Sequence, residues 1–160
     1  MKLKHLATVG LLASTISLAA CGNEADVAAE AEPEGIPGLS VDNARLVLPP
    51  VKGNPAAVYF DVTYEGDRGL SIRRADVAGA EEAKLHAYGE WEGKMQMAEA
   101  MPIAITKGSE IAFKPGDLHV MAFNLDDSIE AGGTVEVTLT VSGGDKYSFD
   151  ADVLAAGDER

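Results

Sequence analysis

The chain predicts an all-β domain, a sandwich or barrel of about seven to nine short strands. Three observations lead there. From about Leu39 onward, apolar and polar residues alternate in short runs, the period of a strand with one buried face. Glycine, proline, asparagine and aspartate punctuate the runs at close intervals, which is the spacing of turns between short strands. No stretch sustains a 3.6-residue apolar period apart from a short piece at 78–83, so helices are not the building material.

The first segment is not part of that domain. Residues 1–20 carry a basic start (Lys2, Lys4) and an apolar run over 6–20. That run falls short of the ~20 residues needed to span a bilayer, so it reads as an export signal. Leu18-Ala19-Ala20-Cys21 resembles a lipobox, the bacterial lipoprotein cleavage signal. The resemblance implies cleavage before Cys21, acylation of that residue, and a periplasm-facing anchor on the outer membrane. Residues 21–36 follow as an acidic, alanine-rich tether with too little apolar bulk to fold. The domain is expected over 37–156, with 157–160 as a tail.

Within it the strands are read in order. Residues 44–48 form a run stopped by Pro49-Pro50, which cannot continue a central strand. In 57–64, Val58, Phe60, Val62 and Tyr64 point one way and Tyr59, Asp61 and Thr63 the other. Residues 70–77, 83–88 and 94–98 follow, then 111–113, which runs into the turn Lys114-Pro115-Gly116-Asp117. Residues 118–124, 134–142 and 147–153 complete the set, the last two joined at Gly143-Gly144.

Past the signal only two histidines remain, His86 and His119, and all four remaining methionines lie with them in residues 86–121: Met95, Met97, Met101 and Met121. Imidazole with thioether is the donor set that a soft ion such as Cu(I) selects. Strand phase adds to this. Leu118, Val120 and Ala122 form one face, with His119, Met121 and Phe123 opposite; Ala83, Leu85 and Ala87 form another, with Lys84, His86 and Tyr88 opposite. Both histidines thus face away from the aliphatic set, towards a shallow site on a sheet face. Met95 and Met97, two residues apart, share one face of their strand, so either could complete the site. Methionine is also a common core filler, and a strand histidine is often structural; confinement of all six to one window favours the metal.

Other chemistries lack their residues. Cys21 is the single cysteine, so neither a disulfide within the chain nor, once acylated, a copper-binding thiolate is available. H-E-x-x-H, G-x-S-x-G and Cys-x-x-Cys are absent, and the chain does not read as an enzyme. A formal charge of −13 repels phosphate backbones and argues against nucleic acid as a partner.

The spacing of the donors is specific. His86, ten residues, Met97, twenty-one residues, His119, one residue, Met121 reads H-x10-M-x21-H-x-M, and this resembles the signature of the periplasmic PCu(A)C-type copper chaperones. The likeness extends to the Lys114-Pro115-Gly116 turn, to the Gly-x-Val run from Gly133, and to Pro55-Ala56-Ala57-Val58-Tyr59, covering about residues 41–154. It implies a cupredoxin-like Greek-key fold in which His86, Met97, His119 and Met121 bind one Cu(I). The ion would pass towards the Cu(A) centre of cytochrome c oxidase, through an oxidase subunit or another copper chaperone. Two other readings stay open: a copper-buffering or resistance lipoprotein without a dedicated recipient, and a structural or interaction lipoprotein. One departure is Tyr88, where relatives often carry a methionine two residues after the first histidine.

The anchor is directly testable. Cys21→Ser should leave an unprocessed precursor without lipid, as seen by gel mobility and fatty-acid labelling; normal processing of that variant would contradict the lipobox reading.

Overall fold

In the computed structural model, residues 35–158 are described. The signal segment 1–20, Cys21, the tether up to residue 34 and the end of the tail, residues 159–160, lie outside the described residues. The strands are β1 (Leu39–Val47), β2 (Ala56–Tyr64), β3 (Leu70–Val77), β4 (Ala80–Trp91), β5 (Lys94–Glu99), β6 (Ile103–Ile105), β7 (Ser109–Phe113), β8 (His119–Leu125), β9 (Thr134–Val141) and β10 (Lys146–Leu154). There is no helix among the described residues. The helical piece considered at 78–83 is instead a turn followed by the start of β4.

All nine runs expected from alternation form strands, and β6 is added to them. With three residues it is too short to show a period. β1 also begins earlier than its alternation does. Its register slips between Asp42 and Arg45, where Asn43 takes a positive φ of 54° and donates Nδ2–H to Asp61 Oδ2 at 2.8 Å. This bulge inverts the side-chain phase, so residues on its two sides cannot be read as one alternating run.

Hydrogen-bonded neighbours run β5-β4-β8-β2-β1-β10-β9-β3-β6, with β7 also on β2. β1 and β10 are parallel. β3 and β4 lie far apart along this path yet are joined by residues 78–79 alone. The sheet therefore has to curl back on itself, and its inner face encloses one core. That core holds Leu46, Val58, Phe60, Val62, Ile72, Val120, Val137, Leu139 and Val141, all essentially inaccessible. Phe60 stacks on Phe113 with centroids 4.1 Å apart and meets Phe149 at 5.1 Å, contacts that add to the burial itself.

One irregularity positions the site. β7 and β8 follow one another along the same edge of β2: Phe113 pairs with Phe60, and Val120 pairs with Val58. The intervening residues cannot fit opposite a two-residue step, so they are extruded as a loop. Pro115 and Gly116 shape it, Gly116 at φ 79°, and Lys114 N–H closes it on the Leu118 carbonyl at 2.8 Å. His119, the first residue of β8, emerges directly from this loop.

Candidate metal centre

β4 and β8 are antiparallel, and their register sets His86 opposite His119. Lys84 pairs with Met121 and Glu82 with Phe123 on the same outer face, while Leu85 pairs with Val120 in the core. The two imidazole centroids are 5.9 Å apart with the planes at 76°. On the other side of β4, Glu99 of β5 pairs with His86, Met97 with Tyr88, and Met95 with Glu90. Paired residues share a face, so His86, His119, Met121, Met97, Met95, Tyr88 and Glu99 all project from one surface.

His119 is 5% exposed and is the only buried polar or charged residue among those described. Its ring lies between two tyrosines, Tyr88 stacked at 5.7 Å and Tyr59 tilted at 6.3 Å. Tyr59 is itself covered by the Arg45 guanidinium, 5.2 Å from its centroid. The Nδ1 of His119 lies 2.8 Å from the Asp117 carbonyl oxygen. A carbonyl only accepts, so Nδ1 carries the hydrogen and Nε2 keeps its lone pair for a metal, the arrangement usual for a ligating histidine.

His86 is the opposite case. Its Nδ1 is buried and has no hydrogen-bond partner in the protein, a state that costs about 1–3 kcal/mol. Its ring rests edge-on to Phe123 at 6.4 Å, which supplies no polar contact. Burial, then the neighbouring His119, holds this imidazole below its ordinary pKa of 6.5; Glu99 opposes the shift and Lys84 adds to it. A metal ion at the histidine pair would complete an environment that the protein leaves unfinished.

Among the described residues no group of three or more His, Cys, Asp or Glu side chains converges on a metal position. The thioethers that share this face with the two histidines are the candidate further donors. Met121, half-buried, is one step from His119 along the face, on the Lys84 side. Met97 is a diagonal neighbour of His86 on the Tyr88 side, about 7–8 Å away between backbones and within reach of a long side chain. Met95 is one further step out, and Met101 lies past the end of β5, 81% exposed. The structure thus brings the two histidines into opposition and sets Met97 and Met121 on either side of them. Asp117, Tyr59 and Glu99 were not singled out from sequence. Their parts depend on the extruded loop and on strand order, and neither leaves a periodic signal.

A groove of about 790 Å³ lies elsewhere, at the end of β4 and β8 where Ala80 pairs with Leu125. It is lined by Leu48, Lys52, Asn124 and Asp126 among others and includes neither histidine nor any methionine. The candidate centre is a site on a sheet face.

A family model described as "Putative lipoprotein LpqE-like" matches residues 39–153, from the first residue of β1 almost to the end of β10. The chain belongs to the LpqE-like family. The match spans both histidines and all four methionines of this LpqE-like domain. Its fold is that of solved PCuAC domains. The copper-bound PCuAC domain from PmoF2 is 19% identical, with a TM-score of 0.60 over 76% of this chain and 96% of that one. The apo PmoF2 domain gives 20%, 0.62, 77% and 94% in the same order. The Cu(I) form of DR1885 from Deinococcus radiodurans gives 22%, 0.58, 83% and 89%. No curated protein matches the chain.

The lowered pKa of His86 has a definite sign. Below pH 6.5 the unfolded chain takes up a proton that the folded one resists, so this residue favours folding above that pH and loses its contribution as pH falls. In an NMR titration of the copper-free protein, the His86 ring should show a midpoint below 6.5. Glu99→Gln should lower it further. A midpoint at or above the ordinary value would contradict the packing described.

Proposed function

We propose that this domain carries one Cu(I), bound by His86, His119, Met97 and Met121, and delivers it towards the Cu(A) centre of cytochrome c oxidase. The observation that carries the reading is the opposed histidine pair. One ring is fixed by Asp117 with Nε2 free, the other has an unsatisfied buried nitrogen, and thioethers stand on both sides. Neutral imidazole and thioether add no ligand charge, which suits Cu(I) over ions of higher charge and harder preference. Thioethers also exchange readily, as a carrier requires. The copper-bound and Cu(I) states of the solved PCuAC domains support the same choice of ion.

In this reading Cys21 is acylated and holds the carrier on the periplasmic side of a membrane. The family description as a lipoprotein supports this. The carrier's recipient is an oxidase subunit or another copper chaperone. The acidic chain, at −13, draws cations towards the surface.

Ligand substitution separates this site from its neighbours. Measured by competition with a chromogenic Cu(I) chelator, Met97→Leu should weaken affinity by at least about tenfold, the scale on which metal sites respond to lost contacts. Met95→Leu should leave affinity within about twofold, because leucine keeps most of the packing. An unchanged affinity in Met97→Leu would contradict the ligand set, and a wild-type protein without Cu(I) affinity would end the carrier reading.

A further inference from the structure

The methionines are unevenly exposed in this domain. Met121 is half-buried, whereas Met97 is 40% exposed, Met95 64% and Met101 81%. All six residues of β5 are exposed, and β5 terminates the hydrogen-bonded order of strands. The pairings of Met95 with Glu90 and Met97 with Tyr88 set both thioethers on the face that carries His86. Their Cα atoms are about 6.8 Å apart, one pleat repeat, and three rotatable bonds in each side chain let the two sulfurs approach a single ion. The other methionines are excluded from such a pair. Met121 stands on the far side of the histidines, opposite Lys84. The chain leaves the β5 register at Ala100, whose N–H bonds the Leu85 carbonyl at 2.8 Å, and Met101 lies beyond that point.

We propose that Met95 is a relay ligand: Cu(I) enters and leaves the histidine centre through a transient site formed by the thioethers of Met95 and Met97. This rests on the Cu(I) carrier reading above. On release, a bond from copper to Met95 sulfur forms as the bonds to the His86 and His119 nitrogens and to Met121 sulfur break, while Met97 stays bound and swings with the ion. Copper remains Cu(I) throughout. Donors and acceptors of the exchange are all neutral, so no proton or electron moves. The incoming ligand of a recipient then meets copper at the exposed terminal strand, away from the buried ring of His119. Met95 has no part in the resting coordination, so its work is kinetic.

A relay lowers the barrier and leaves both end states unchanged, so its loss slows both directions by one factor. Uptake and release are measured anaerobically by stopped flow on the full chain, with Cu(I) for uptake and bathocuproine disulfonate as acceptor. The quantity compared is the release rate independent of acceptor concentration. Met95→Leu is expected to slow uptake and release alike by about tenfold with Kd unchanged, and Met101→Leu to leave both rates at wild-type values. Wild-type rates in Met95→Leu overturn the relay, and a weakened Kd in that variant overturns it too, by making Met95 a resting ligand. Equal slowing in Met101→Leu overturns it by removing its dependence on position. Failure of the wild-type protein to bind Cu(I) overturns the carrier reading itself, an outcome distinct from the others.

Discussion

The direct opposition of His86 and His119 across β4 and β8 is the constraint on which the rest of the site depends. A slip of one residue in that pairing would turn one histidine into the core and the other out, because successive side chains alternate faces. Several contacts hold the register. On the inner face Leu85 meets Val120 in the core, with Ala83 beside Ala122. At the far end Asp126 N–H bonds the Gly79 carbonyl at 2.6 Å, and Asn124 Nδ2 donates to Glu81 at 2.7 Å. The loop extruded between β7 and β8 sets the near end. Core packing and turn chemistry thus fix a geometry used on the opposite surface.

The two histidines are held in different ways. His119 is fixed by a hydrogen bond to Asp117 and by rings on both sides, so its free nitrogen points where the structure directs it. His86 has an unsatisfied buried nitrogen and a depressed pKa. The protein itself supplies that nitrogen no partner, and a metal that takes its lone pair would supply one. The fixed donor presents a preset nitrogen, and the unpartnered one gains a contact when a ligand binds.

Local parity was the most legible part of the chain. The phase of Val120 against His119, or of Leu85 against His86, follows from alternation alone, and the structure places both histidines on the face opposite the core. Where alternation breaks, legibility ends: the bulge at Asn43 conceals the first part of β1, and β6 is shorter than a period can reveal. Site neighbours contributed by other strands were harder still. Tyr59 reaches His119 only because β2 lies beside β8, and Glu99 meets His86 only through the β4–β5 register. Strand order is a property of the whole fold and leaves no trace in any one segment. The donor spacing H-x10-M-x21-H-x-M pointed to the fold of PCuAC domains, although identity to the solved domains compared above is only 19–22%.

The central claim is that two imidazoles and two thioethers share one Cu(I). X-ray absorption at the copper edge of the anaerobically loaded protein tests it most directly, because nitrogen and sulfur neighbours scatter differently. The account predicts one copper per chain with two nitrogen and two sulfur neighbours. A first shell of nitrogen and oxygen without sulfur, or one with sulfur and no imidazole nitrogen, would contradict it.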